Sequence, residues 1–316
     1  MEFFSLIHSL RDQGILGMNR RNLAYVSEYN ARKDYPKADD KLITKALAIE
    51  HGIAVPQLYK TFQCTGELQT LQKSLSDFDT FVLKPAHGSG GEGVLVVDGR
   101  DGDYYLRGRH KILQYQDIRD HCAEILHGLY SLGGRPDSII VEERVEFDPL
   151  FEHLTEGGVP DIRLIVYRGV PLMGMLRLPT LKSQGRANLH QGAIGVGIQI
   201  AQGHTLGGVH GNHLIDTHPD TGYPLVDIQL PQWETLLNIA TSCYDFSGLG
   251  YLGVDIVYDR KYGPLLLEIN ARPGLAIQLA NQQGLLHRIR QVDTFLSHGE
   301  PSKEDRLAFV QSSLSA

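Results

Sequence analysis

The chain has 316 residues, of which 42% are hydrophobic and 21% charged, with a formal net charge of −7. That balance, with no Lys/Arg-rich run, excludes a dedicated nucleic-acid binder. Cys64, Cys122 and Cys243 stand too far apart for a disulfide framework or a cysteine zinc site, and no stretch reaches the roughly 20 apolar residues of a membrane span.

The length allows one large domain or two to three lobes. Residues 1–37 read as a short amphipathic helix and a polar segment rich in Tyr, Asn and Arg. The opening apolar run is too short, and Arg11 and Asp12 follow too soon, for a signal peptide. Together with the unpaired cysteines this predicts a cytoplasmic protein. Asp39 and Asp40 cap a helix through residue 50, with Leu42, Ile43, Ala46, Leu47 and Ile49 as its apolar face. Lys41 in its first turn opposes the helix dipole unless an anion lies nearby. Strands are expected over 81–84 and 94–97 with a loop between them, then a helix over 114–132 and a strand over 138–145. From Asp161 the chain turns β-rich, with strands over 161–167, 172–178, 193–200 and 209–215 and a polar loop over 182–192. Pro231 opens a helix to about residue 246, and a further helix is expected over 275–297. Residues 301–316 read as a polar, frayed tail.

Near the C-terminal end, residues 253–258 and 265–270 form two apolar strands joined by a turn over 259–264. The second strand carries Glu268 and Asn270, which alternation puts on one face. Pairing Tyr258 with Leu265 would set Asp255 opposite Glu268. Two acids and an amide brought together among apolar residues make poor structure unless a cation sits between them. Hard oxygen ligands of this kind favour magnesium, which bridges to substrate phosphates. A solvated hairpin edge with incidental acids is the plainer alternative.

Gly88-Ser89-Gly90-Gly91-Glu92-Gly93 satisfies G-x-G-x-x-G. A dinucleotide fingerprint would open a helix, but a strand is expected here. A protein kinase would place its lysine after the loop, whereas Lys84 precedes it. What remains is a flexible hairpin whose bare N–H groups can close over phosphates, with Lys84 neutralising charge. A mobile surface hairpin is the competing reading. His204, His210, His213 and His218 lack zinc-ligand spacing.

The order of Asp40-Lys41, Lys84-Pro85 with its glycine loop, Glu142-Glu143-Arg144-Val145, Asp161-Ile162-Arg163, Arg186 to Gly192, Gly253-Val254-Asp255 and Glu268 to Gly274 resembles the ATP-grasp ligases. Within them it is most similar to the alpha-L-glutamate ligase-like branch, over roughly residues 38–285. The resemblance implies an α+β ATP-grasp fold, two lobes clasping ATP, behind a truncated N-terminal region. The expected division is a short segment (1–37), an N-terminal lobe with the glycine hairpin (38–145), a C-terminal lobe with the metal hairpin (146–300) and a tail (301–316). Lys41, Lys84 and the loop residues Gly88, Ser89, Gly90, Gly91 and Gly93 would hold the phosphates. Glu142, Glu143, Arg144 and Val145 would line the adenine and ribose pocket.

By the same resemblance Asp255, Glu268 and Asn270 would hold two Mg2+ ions, with Mn2+ as a substitute. Arg163, Arg177, Arg186 and Asn188 would serve the reacting groups, with His190 bracing their loop or joining them. The implied reaction joins a carboxylate to an amine through an acyl phosphate, adding an amino acid such as glutamate to a peptide or protein. A small metabolite or cell-envelope precursor as acceptor, or a non-catalytic ATP-binding regulator, are the alternatives. Only 40 residues precede Lys41, fewer than the front lobe of such ligases. A homo-oligomer or partner protein, touching residues 14–30, is therefore expected to complete the cleft.

Overall fold

The computed structural model describes residues 12–314 except Ser89, Arg109, His110, Leu132 and Glu156. The amphipathic helix expected at the start, in so far as it precedes residue 12, and the predicted phosphate residue Ser89 lie outside the described residues.

Asp40 begins helix α1 (Lys41–Glu50), its carboxylate accepting from the backbone N–H groups of Leu42 and Ile43. The cap is where the sequence puts it, but the buried face is not. Thr44, Lys45 and Ala48 face inward, while Ile43, Ala46 and Ile49 are exposed. Thr44 donates to the nearby Lys37 and Asp40 carbonyls, and Lys45 turns inward because Glu142 waits for it there, a partner too distant in sequence for local periodicity to register.

Beyond α1, strands β1 (Leu58–Phe62), β2 (Phe81–Pro85) and β3 (Leu95–Val97) are followed by a small meander, β4 (Gly99–Asp101), β5 (Tyr104–Arg107) and β6 (Lys111–Leu113). Helix α2 (Tyr115–Leu126) and strand β7 (Ile139–Glu142) come next. The first sheet has the order β1-β7-β2-β3 with antiparallel pairs throughout. Gln114 and Asp117 close a reciprocal capping box on α2, whose Ile118, Cys122 and Ile125 pack with Phe81, Leu83, Ile139 and Val141 in one core.

The second core is built on a larger antiparallel sheet. Its strands are β8 (Asp161–Tyr167), β9 (Val170–Leu178), β10 (Ile194–Ile198), β11 (His204–His210), β12 (His213–Ile215), β13 (Val226–Gln229), β14 (Tyr251–Asp259) and β15 (Gly263–Asn270). The order is β12-β11-β10-β9-β8-β14-β15, with β13 paired to β11. Helices α3 (Trp233–Ser247) and α4 (Leu285–Leu296) contribute Leu236, Ala240, Ile289 and Val292 to that core. The expected helix over 275–297 is interrupted, since Gly284 is extended and caps α4. The tail is ordered as helix α5 (Lys303–Ser313), started by a Ser302–Asp305 capping box and held by buried Arg306 and Val310.

Residues 14–30 are fastened to the chain's own fold along one face. Leu16, Tyr25 and Val26 are buried in the larger core. The Asn30 side chain donates to the carbonyls of Tyr251 and Ala271 and accepts from the Tyr251 N–H, and Arg21 donates to the Pro273 carbonyl. This segment therefore straps the turn that follows Asn270 with one face, while Met18 and Leu23 on it stay exposed. Among the described residues no helix is long and apolar enough to cross a membrane.

Candidate active site

A cleft of about 1080 Å³ opens between the two sheets. From the first sheet and α1 it is lined by Lys41, Lys84, Gly88, Gly90, Gly91, Glu142, Glu143, Arg144 and Val145. The second sheet and its loops contribute Asp161, Arg163, Arg177, Arg186, Asn188, His190, Asp255, Glu268 and Asn270. Residues far apart in sequence thus meet around one space, because the two sheets present strand ends and loops to each other across it.

Lys41 ties the two sides together. Its ammonium donates to the Gly88 carbonyl and lies 3.5 Å from Glu268 Oε2. The anion that a cation in the first turn of a helix requires is therefore present. Gly90 and Gly91 take left-handed φ angles of 64° and 76°, which a side chain would strain, and the loop comes close to the Asn188 amide on the far side. Gly93 is set apart from its neighbours. It is not among the lining residues, and a Cβ there would meet the Tyr130 ring at 2.6 Å. Lys84 pairs with Glu142, and Arg144 with Asp98 at 2.7 Å. Val82, Val96, Val257, Leu267 and Phe147 supply an apolar slot beside residues 142–145.

The acid–acid–amide group forms on β14 and β15, where Asp255 does pair with Glu268. The register differs nearer the turn. Tyr258 faces Pro264, one residue from expectation, and a bulge between Asp255 and Ile256 takes up Leu267 and restores the alignment. The Asn270 amide nitrogen lies 3.3 Å from Asp255 Oδ2 and 3.5 Å from Glu268 Oε1. Rotating that amide by half a turn aims its oxygen at the same space. Among the described residues no three His, Cys, Asp or Glu side chains converge as a ready metal cage. Two carboxylates and an amide nevertheless fit a hard cation that takes its remaining ligands from a phosphate.

Asp255 is 2% exposed and is gripped by two guanidiniums. Arg163 Nε donates to its Oδ1 at 2.6 Å, and Nη2 groups of Arg163 and Arg177 both donate to Oδ2. Burial alone would raise this carboxyl, but the two arginines overcome it and hold it down at about 2. Arg177 also forks onto Asp161, whose carboxyl burial pushes up to about 6 against the pull of that arginine. In the structure Arg163 reaches across to Asp255, directly opposite on β14, and Arg177 takes Asp161.

The three arginines are therefore not equivalent. Arg163 and Arg177 are neutralised by carboxylates, whereas Arg186 is exposed and its side chain meets Gln191, at 3.5 Å, and no carboxylate among the described residues. Asn188 caps a short turn by accepting from the His190 N–H, leaving the exposed His190 ring on the rim. Three lining features escaped the sequence. Arg107 and Lys111 come from the β5–β6 hairpin, where no strand was expected, and Asp161 was read only as part of a motif. Lys45 was missed as well. Its signal was the four-residue spacing from Lys41, which puts both on one helix face.

A family model described as sugar-transfer associated ATP-grasp matches residues 20–294. Among solved structures, the ATP-grasp ligase PsnB with a minimal precursor is similar at 12% identity and a TM-score of 0.44, covering 86% of this chain. The chain spans 64% of that protein's length. D-alanine–D-alanine ligase from Bacillus anthracis with ATP gives 15% identity and a TM-score of 0.44, covering 85% of this chain and 69% of the other. D-cycloserine synthetase DcsG gives 16% and 0.44, with coverages of 83% and 71%. No curated protein sequence matches.

Proposed function

The chain belongs to the sugar-transfer associated ATP-grasp family and has its α+β fold, and from that premise we propose that it is an ATP- and Mg2+-dependent carboxylate–amine ligase. The observation that carries this reading is Lys41, whose ammonium touches both the glycine loop and Glu268. A polyphosphate held by Lys41, Lys84 and the loop would end beside the acid–acid–amide group. The apolar slot next to residues 142–145 suits a flat purine, with backbone groups at its edge. Asp255, Glu268 and Asn270 would hold Mg2+, which supplies charge neutralisation at the transferred phosphoryl group.

In the proposed reaction a substrate carboxylate attacks the γ-phosphate, ADP leaves, and an amine then displaces phosphate to form the amide. The chain's residues position these groups and spread their charge; none has to act as a nucleophile. Arg186, without a carboxylate partner among the described residues, is a cation available to orient the incoming carboxylate. Arg163 and Arg177 fix Asp255 and place positive charge behind it.

An amino acid joined to a peptide end, as in the glutamate-adding branch, is one reading of the product. The family's association with sugar transfer favours the other, a carbohydrate-bearing or cell-envelope precursor as acceptor. A second copy or a partner protein would complete the cleft wall in either case. Hydroxylamine replaces the unknown amine in the test. Incubated with ATP, Mg2+ and a panel of carboxylates, the protein is expected to form an acyl hydroxamate from at least one of them. ATP turnover with no hydroxamate across amino acids, peptides and uronic acids would contradict the acyl-phosphate route.

A further inference from the structure

Lys45 stands one helical turn after Lys41 and is only 5% exposed, although lysine is among the residues least often hidden. Its ammonium donates to the Pro56 carbonyl and lies 3.0 Å from Glu142 Oε2. The other carboxylate oxygen of Glu142 is taken by Lys84. Glu142, itself 3% exposed, is thus bracketed by two lysines. Burial lowers the pKa of Lys45 while Glu142 opposes it, and both lysines keep Glu142 ionised despite its burial.

A buried carboxylate with one lysine makes a neutral pair that presents little charge to its surroundings. With two lysines the group carries one net positive charge. Of the two, Lys84 lines the cleft and Lys45 does not. We propose that Lys45 is a positioning residue of the nucleotide site: from behind the cleft wall it competes for Glu142 and so leaves the charge of Lys84 available to an anionic polyphosphate.

This inference rests on the nucleotide reading given above and assigns no contact between Lys45 and ligand. A merely structural Lys45 would tie α1 to the Pro56 carbonyl and affect folding alone. The two roles separate because an electrostatic effect acts on the polyphosphate and not on the uncharged nucleoside. Removing Lys45 lowers the local charge by one unit, and an arginine in its place restores it.

Calorimetric titration of ATP and of adenosine into wild type, Lys45→Met and Lys45→Arg tests the idea, with thermal melts of each protein. Lys45→Met is expected to weaken ATP at least tenfold, roughly 1.4 kcal/mol, and to leave adenosine binding unchanged. Lys45→Arg, which keeps the charge, should bind ATP within about threefold of wild type. If Lys45→Met does not fold, Lys45→Gln, which keeps a donor for the Pro56 carbonyl, takes its place. A neutral variant that binds ATP like wild type, or that weakens ATP and adenosine alike, would overturn the inference, as would a folded Lys45→Arg protein that stays tenfold weak. Absence of ATP binding by wild type would instead overturn the nucleotide reading on which it rests.

Discussion

Asp255 and Glu268 face each other across one hairpin yet depend on the fold in opposite ways. Asp255 is buried under Arg163 and Arg177, so replacing it leaves the Arg163 guanidinium without its counter-charge and Arg177 with Asp161 alone. Asp255→Asn is expected to cost about 3 kcal/mol of stability at neutral pH, as breaking a buried ion pair does. The carboxyl is depressed to about 2, so its contribution is complete above the ordinary carboxylate range and is lost as pH falls through about 2. Denaturant titrations should show the gap between variant and wild type closing as the pH falls from about 4 towards 2. A gap that stays constant would mean that Asp255 is not the ionised partner. Glu268 has a side chain 28% exposed and meets Lys41 only at 3.5 Å. Glu268→Gln should leave the melting temperature nearly unchanged and reduce turnover at least ~100-fold, about 2.7 kcal/mol of transition-state stabilisation. Near-normal turnover at saturating ATP and Mg2+ would remove Glu268 from the proposed metal site.

These acids were readable because strand alternation and hairpin register act over a dozen residues. Lys45 was not. Its burial is decided by Glu142, on a strand of the other side of the sequence gap, and a helix pattern that ranks positions by hydrophobicity turns that face outward.

At the level of elements, the strap over residues 14–30 and the β14–β15 hairpin form one mechanical unit. Asn30 satisfies one N–H and two carbonyls at the strand end that leads into the site. Asn30→Ala would leave these buried groups unpaired, at a cost of about 3 kcal/mol. The resulting shift in the unfolding midpoint is measurable by denaturant titration, and a variant as stable as wild type would show that the strap is not fastened there. Nothing local marks this residue, since an Asn in a Tyr-rich polar segment reads as a loop. The bulge at Leu267 was hidden for a related reason, because a one-residue slip leaves the sequence pattern of both strands intact. Helix α5, by contrast, carried a visible signal. Ser302 and Asp305 have capping-box spacing, but few apolar residues follow, so periodicity alone reads the stretch as a tail.

For the whole molecule, the order of lysine, glycine loop, acidic strand and acid–acid–amide hairpin was enough to give the fold, because each motif sits where the two sheets turn toward the cleft. The β4–β5–β6 meander stayed unreadable since its strands are three to four residues long and few of their residues are buried. Its Arg107 and Lys111 nevertheless reach the cleft, so the cationic rim is wider than the motifs alone indicate.

The central claim is a ligase that spends the γ-phosphate of ATP through an acyl phosphate, and the most direct measurement is the nucleotide product. Turnover with ATP, Mg2+, an amino-acid pool and candidate acceptors, followed by phosphorus NMR with mass spectrometry of the acceptors, reads it at once. The account predicts ADP and inorganic phosphate in equal amounts, matched by new amide. AMP and pyrophosphate as the main products would mean adenylation and would contradict it.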